Sequence, residues 1–451
     1  MSQGIALIKK YMPQGALRWL QPSYHFLLAL IGAPIYRFPS RRLVVIGVTG
    51  TKGKTTVVEL LHRVIETSGA RVASLSSLRF RMGEEETRND LKMTMPGRFF
   101  IQRFLRRALR GGCRFAVLEV TSEGIKQFRH RFIKFDAVAL TNIAAEHIEA
   151  HGSFDNYVAA KRDLFRRVRK GGFAVINRDD PQADRFAAST TGQIVWYGKG
   201  GIAYGDRAWP ITNVRIGDSG ISFLVDGTAV SSPLLGEFNF YNLTAAAAVG
   251  LVYGIAPEKI VEALACVTVI PGRMEFVQRE PFAVVVDYAH TPDSLKNVYT
   301  FLRESYSKLQ APSSKLICVL GSAGGGRDKW KRPEMGRIAA EFCDEVILTN
   351  EDPYDENPAA ILEEIAAGFR QVPSSRKILD RREAIREAIK SARPGDTVVL
   401  TGKGSESWIM GPAGSKIPWN ECGVVREELR GLLPNTLSER SRNILSENCV
   451  A

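Results

Sequence analysis

Cysteine is scarce: the chain of 451 residues has six, and none lies in a CxxC pair. That spacing excludes a disulfide framework, and Cys113, Cys266, Cys318, Cys343, Cys422 and Cys449 are expected as reduced thiols, mostly in apolar core runs such as LICVLG. A cleavable leader is also missing, because the apolar stretch near residues 24–36 comes late, contains Pro34 and has no small-residue cleavage site. The same stretch is too short to span a bilayer. A cytoplasmic protein, membrane-peripheral at most, is expected. Acidic residues are outnumbered, 48 Asp and Glu against 61 Lys and Arg, for a net charge of +13. The excess suits nucleotides, phosphorylated sugars or an anionic membrane. The basic residues are scattered and no recognition-module motif accompanies them, so no nucleic-acid partner is expected.

What is present is enough apolar residue, 45% of the chain, for more than one core. At roughly 100–200 residues per domain, two or three are expected. Residues 1–42 form a short apolar and basic segment, with a weakly helical start around Ile8, Lys9 and Lys10 and then YHFLLALIGAPIYRF. From Leu43 to residue 270, β-rich runs (LVVIGVTG, FAVLEV, FDAVALTN, GFAVINRDD) alternate with helical stretches, the pattern of a parallel sheet covered on both faces. Residues 193–235 read instead as a small antiparallel excursion with Gly-Asp and Asp-Gly turns. After a hinge at Pro271-Gly272-Arg273, four runs (FAVVVDYAH, KLICVLGSAGGG, EVILTNEDP, TVVLTGKGSE) each end in a polar or glycine-rich loop. Such loops line one crevice outside the carboxyl ends of the strands. This second region runs over residues 271–435, and 436–451 is a polar tail. The fold class is α/β: a P-loop-type central ATPase domain with a parallel sheet, plus a C-terminal Rossmann-like domain.

The sharpest local signal is Gly50-Thr51-Lys52-Gly53-Lys54-Thr55-Thr56, between a strand over Val44–Val48 and a helix with Val57, Leu60, Leu61 and Val64 on one face. Glycines let backbone N–H groups close on phosphate oxygens, Lys54 can bridge terminal phosphates, and the Thr55 hydroxyl can reach magnesium. The segment departs from strict GxxxxGK[ST], since Val48 stands five before Gly53. ATP binding follows.

Downstream motifs in fixed order (EVTSEG, LTNIAAEHIEAHGSFDNYVAAKRDLF, INRDD, GEFNFYNLTAAAA, PGRME, VDYAHTPDSL, GSAGGGRDKWKRP, TNEDP, LTGKGSE) resemble the Mur ligases over residues 43 to 430, most closely the muramoyl-tripeptide synthetase (MurE-like) branch. The resemblance implies an ATP- and Mg2+-dependent ligase that joins an amino acid to a carboxylate of a muramoyl-peptide-type precursor through an acyl-phosphate. It makes Lys54, Glu119, His147 and Lys161 catalytic, with Thr55, Glu119, His147 and a carbamylated Lys161 serving magnesium. Asn239 and Asn242 match residues near the adenine. Arg273 and Asp287 match phosphate and ribose contacts drawn from beyond the hinge. Thr94, in KMTMPG, and Ser122 fall on the acceptor side. Arg327 matches the residue that holds the incoming amino acid's carboxylate, and Asp352 and Glu406 lie at its side chain.

Departures are equally specific. Diaminopimelate-adding relatives carry Asp-Asn-Pro-Arg where this chain has Glu351-Asp352-Pro353-Tyr354, so the arginine for a second carboxylate is absent. Met93, Glu123 and Ser405 replace a threonine and two histidines. Glu351, Asp352 and Glu406 would present an acidic pocket, which favours a cationic amino acid such as lysine or ornithine. The branch's N-terminal UDP-sugar domain exceeds what 42 residues form. Residues 24–38, with Arg37, Arg41 and Arg42, are expected either at a membrane interface or packed on the ATPase domain as a core helix. A small-molecule acceptor, an amino acid and a monomer complete the expectation. The alternatives are a Mur-fold ligase for folate polyglutamate, a poly-amino-acid or a natural product; a non-catalytic nucleotide-binding scaffold; and a basic nucleic-acid ATPase.

Overall fold

The structure is a computed structural model that describes residues 14–146, 148–307, 314–326, 328–370 and 374–432. The chain divides into two compact units after Thr268.

In the first unit, helix α1 (Gln14–Ile35) precedes β1 (Val44–Thr49), α2 (Lys54–Thr67), β2 (Val72–Leu75), β3 (Arg79–Met82), β4 (Glu85–Arg88), α3 (Arg98–Arg110) and β5 (Phe115–Glu119). Helix α4 (Ser122–Lys126), β6 (Phe135–Leu140), α5 (Phe154–Phe165), β7 (Val168–Asn177), β8 (Gln193–Gly198), β9 (Gly201–Tyr204) and β10 (Arg207–Trp209) follow. These strands form one sheet in the order β10-β9-β8-β7-β6-β1-β5-β2-β3-β4. From β8 to β2 every pairing is parallel. All residues of FAVLE (β5) and FDAVAL (β6) are buried, because helices cover both faces, and continuous apolar runs are what such strands require.

The antiparallel excursion expected over residues 193–235 is only partly so. Strand β8 pairs in parallel with β7 and completes the main sheet, with Tyr197 Oη donating to Leu140 O at 2.7 Å. A buried tyrosine whose hydroxyl needs an acceptor is well placed on a sheet strand, and the turn signals around the strand masked this. The independent antiparallel piece is β11 (Ile211–Gly217), β12 (Gly220–Val225) and β13 (Thr228–Ser232). Helices α6 (Glu237–Val252) and α7 (Pro257–Cys266) then pack on α2. The alanine run of α6, Ala245–Ala248, is fully buried, and small side chains allow that close approach.

The second unit is built on β14 (Glu275–Gln278), β15 (Ala283–Val286), β16 (Leu316–Leu320), β17 (Glu345–Leu348), β18 (Ser375–Lys377) and β19 (Thr397–Leu400). The sheet order is β14-β15-β19-β16-β17-β18, parallel except at β14. The loops after β15, β16, β17 and β19 therefore emerge at one edge, as the four-run pattern implied. Helices α8 (Pro292–Thr300), α9 (Lys331–Phe342), α10 (Pro358–Ala366), α11 (Arg381–Ser391) and α12 (Glu421–Leu432) accompany the sheet. Buried Arg381 and Glu421 pair between α11 and α12.

The cysteine expectation needs correcting. Cys318 on β16 and Cys343 after α9 are joined by a disulfide. The helix returning to the neighbouring strand brings together two residues 25 apart in sequence, and linear spacing carries no sign of that. Cys266, at the end of α7, is exposed rather than in the core, whereas Cys113 and Cys422 are buried free thiols. The basic start around Ile8, Lys9 and Lys10, Cys449 and the tail lie outside the described residues. Among the described residues no helix is long and apolar enough to cross a membrane.

Candidate active site

Strand β1 delivers the chain to Gly50, and α2 begins immediately after Gly53, the two turning points of the loop. Gly50 has φ 145° and a Cβ there would sit 1.9 Å from Thr141 Oγ1. Gly53 has φ 80° and its Cβ would lie 2.3 Å from Asn242 Oδ1. Only glycine meets both the backbone sign and the space. The first N–H groups of α2 have no partner inside the helix and face this loop, a favourable place for anionic oxygens.

The segment that follows β6 braces the loop from the side. Asn142 Oδ1 accepts from the Lys52 N–H at 2.9 Å, its carbonyl accepts from the Thr51 N–H at 2.7 Å, and Thr141 Oγ1 donates to Lys52 O at 2.5 Å. Thr51 Oγ1 shares a 2.8 Å hydrogen bond with Tyr157 Oη on α5. Lys52 pairs with Glu146 at 2.9 Å.

Three of the expected catalytic residues converge here. Lys54 Nζ donates to Gly50 O and Thr51 O at 3.1 and 2.7 Å. Lys161 Nζ reaches the same Gly50 O at 2.7 Å from α5, and the side chain is 1% exposed. Burial, then Lys54, depress the Lys161 pKa well below the usual lysine range, outweighing the opposing pull of Glu146 and Glu119. Glu119, at the end of β5, accepts from the Thr55 hydroxyl at 3.0 Å, and from Ser77 N–H and Oγ at 2.9 and 3.2 Å. Thr55, Ser77 and Glu119 thus offer oxygen donors to a hard cation beside the phosphate loop, the donor chemistry magnesium prefers. Thr56, the second loop threonine, is buried in the first turn of α2. His147 lies outside the described residues.

The remaining first-unit residues are placed as follows. Asn242 Nδ2 donates to Asn239 Oδ1 at 2.9 Å, and Asn239 Nδ2 to Leu235 O at 2.8 Å, so the pair forms a chain ending beside Gly53. Ser122 is buried three residues after Glu119, on a helix capped by Thr121 Oγ1 accepting from Gly124 N–H at 3.0 Å. Thr94 is half-buried in the loop that Asn89 Nδ2 holds through Met93 O at 3.1 Å. Among the described residues the two share no hydrogen bond.

In the second unit, the loops converge as topology requires. Lys331 Nζ donates to His290 O at 3.0 Å, Gly324 N–H to Asp352 O at 2.8 Å, and Tyr288 Oη to Glu406 at 3.3 Å. Lys403 sits at the middle, fully buried. Its Nζ reaches Asp352 Oδ1 at 2.8 Å, Glu406 Oε2 at 2.7 Å and Trp408 O at 2.7 Å. Burial pulls the ammonium's pKa down, but Glu406, Asp352 and Glu351 overcome that and hold it above its usual range. The expected acidic pocket is thus three carboxylates against one internal ammonium. Burial is also what raises the Glu351 carboxyl, with Asp352 adding to it. Glu351 Oε2 is buried with no hydrogen-bond partner among the described residues. Asp287 uses both oxygens on backbone N–H groups, Met274 and Ala289, each at 2.7 Å. Arg273 lies 4.2 Å over the Tyr288 ring. Arg327 is outside the described residues.

Sequence reading missed Ser77, Tyr157, Tyr288 and Lys403. Tyr157 was within reach, since it stands four residues before Lys161 and therefore on the same helix face.

Comparison with known proteins identifies relatives over most of the chain. The Mur ligase middle domain matches residues 48–250, and the Mur ligase glutamate ligase domain matches residues 272–404. The chain is 37% identical over 397 residues to the UDP-N-acetylmuramoyl-L-alanyl-D-glutamate–2,6-diaminopimelate ligase of Aquifex aeolicus, covering 87% of this chain and 79% of that one. It is 36% identical over 446 residues to a UDP-N-acetylmuramyl-tripeptide synthetase of Roseiflexus, covering 93% and 85%. A solved diaminopimelate ligase structure superposes with a TM-score of 0.58 at 30% identity over 86% of this chain and 79% of that one. A Mycobacterium tuberculosis folylpolyglutamate synthase shares the fold, with a TM-score of 0.64 at 17% identity over 83% and 92%.

Proposed function

The chain belongs to the Mur ligase family, and from that premise we propose how its residues carry the reaction and which amino acid they select. The enzyme is an ATP-dependent, ADP-forming ligase that joins an amino acid to a carboxylate of a muramoyl-peptide precursor. The observation that carries the site assignment is the meeting of Lys54 and Lys161 on the Gly50 carbonyl, with Thr55, hydrogen-bonded to Glu119, at the start of the helix that follows, so that positive charge and oxygen donors belong to one loop.

In the chemistry proposed for these residues, the acceptor carboxylate attacks the γ-phosphorus of ATP. The bond to the β-phosphate oxygen breaks, leaving ADP and an acyl-phosphate. The amino acid's amine then attacks the acyl carbon and phosphate departs. Lys54 and the α2 N-terminus hold the phosphoryl oxygens as charge shifts between them. Bound magnesium supplies charge neutralisation there, and Thr55 and Glu119 would hold it, with Ser77 fixing the Glu119 carboxylate. Burial disfavours the ammonium form of Lys161, which makes its amine readier to take up carbon dioxide as a carbamate; that modification would put a carboxylate-like group at this position.

For the amino acid, Tyr354 stands where an arginine would receive a second carboxylate, and Glu351 presents a buried oxygen with no hydrogen-bond partner among the described residues, beside Asp352 and Glu406. A side-chain ammonium satisfies that oxygen, and with Tyr354 in place of an arginine nothing at this position receives the second carboxylate of diaminopimelate, so we assign lysine or ornithine. We take the enzyme as a cytoplasmic monomer acting on small molecules, with a peripheral membrane contact at residues 24–38. The test is ADP release across acceptors and amino acids, with the coupled product identified by mass spectrometry. ATP binding without ADP release on any muramoyl-peptide acceptor would overturn the acceptor assignment.

A further inference from the structure

Helix α1 packs the wrong way round for a globular helix. Its small residues Ala29, Gly32 and Ala33 are buried, and Gly32 lies against Phe99 of α3. Its large apolar residues face out: Leu27 is 52% exposed and Ile35 59%, with Leu30 and Ile31 between them. The spacing 27, 30, 31, 35 puts these on one continuous stripe, and a surface helix ordinarily turns such a stripe inward. The helix is nevertheless anchored on its other side. Phe26 meets the rings of Phe128 and Phe132 at 6.0 and 5.7 Å, and Arg131 lies over Phe26.

Cations gather at the C-terminal end of the stripe. Arg37 and Arg42 follow the helix, and α3 contributes Arg106 and Arg110. Arg106 and Arg110 stand one turn apart on α3, which packs on α1 and on the turn at Pro39–Arg41, and the charges of Arg110, Arg37 and Arg42 all act on Arg106. Among the described residues, no carboxylate pairs with any of the four.

We propose that this face docks on an anionic lipid bilayer, with Leu27, Leu30, Ile31 and Ile35 entering the interface and Arg37, Arg42, Arg106 and Arg110 meeting lipid phosphates. An apolar stripe beside clustered cations is the combination that binds such surfaces. A second copy packed α1 against α1 offers no such complement, because α1 contains no Asp or Glu to receive the arginines. The inference rests on the peripheral membrane contact proposed above and deepens it by naming the lipid class and the residues that meet it; it does not depend on the ligase chemistry.

The test is co-sedimentation of the full chain with vesicles of phosphatidylglycerol and phosphatidylcholine, and with phosphatidylcholine alone. The protein is expected to pellet with the anionic vesicles and to stay in solution with the neutral ones. Leu27→Ser/Ile31→Ser should abolish pelleting. Arg106→Gln/Arg110→Gln should weaken it about 25-fold, about fivefold per arginine. Both variants should keep the wild-type melting temperature and ADP release in solution. Failure of the wild type to pellet would overturn the proposal, as would equal pelleting by the variants. So would a stable dimer by light scattering that the leucine and isoleucine substitutions dissociate, since the face would then belong to a second copy.

Discussion

Lys403 and Asp352 form a 2.8 Å ion pair in which the lysine side chain is fully buried and the aspartate nearly so. The same ammonium holds Glu406 at 2.7 Å, so one cation fixes two of the carboxylates assigned to the amino-acid side chain. Breaking a buried pair from one side leaves an uncompensated charge, at a cost of about 3–5 kcal/mol. Lys403→Met should therefore lower the melting temperature markedly. The double variant Lys403→Met/Asp352→Asn should recover part of the loss in thermal unfolding, and no recovery would show that the two act independently.

Glu119 is held by Thr55 and Ser77 on the phosphate side of the sheet. Glu119→Gln keeps the volume and removes the charge, so kcat should fall about 100- to 1000-fold with little change in melting temperature. Steady-state ADP release measures this, and a wild-type kcat would remove Glu119 from the chemistry.

For Lys161, labelled bicarbonate should give a carbamate resonance in wild-type protein that disappears in Lys161→Met, together with the loss of ADP release. An active Lys161→Met enzyme would contradict the role assigned to it.

His62 supplies a pH test of the fold. Burial above all, with Arg81, Arg79 and Arg63 adding to it, lowers its pKa to about 3. The unfolded chain binds a proton near pH 6.5 that the folded protein refuses until about pH 3, so stability is complete above the former and declines as pH falls towards the latter. The slope is about 1.4 kcal/mol per pH unit. Denaturant unfolding of wild type and His62→Leu between pH 7 and 4 should show the wild type losing stability faster, and parallel curves would exclude a neutral buried His62.

Much of this was legible in the chain. Continuous apolar runs ending in polar loops announced two parallel sheets, and Gly50 through Thr55 announced the phosphate cradle, because each depends on local pattern. What was not legible depends on contacts across the sheet. Lys403 looks like a surface lysine in TGKGSE until β17 and β19 bring Asp352 beside it. Ser77 gains meaning only because β2 lies next to β5, and Cys318 meets Cys343 only because a helix returns between adjacent strands. The inverted packing of α1 was equally hidden, since its residues are apolar on nearly every side and periodicity could not say which face turns outward.

The central claim, a muramoyl-peptide ligase that selects a cationic amino acid, is tested most directly by ADP release with ATP, magnesium and a muramoyl-dipeptide acceptor across an amino-acid panel. Release with lysine or ornithine, and little with diaminopimelate, is the predicted result. Release that diaminopimelate alone supports would contradict the role given to Glu351, Asp352 and Tyr354.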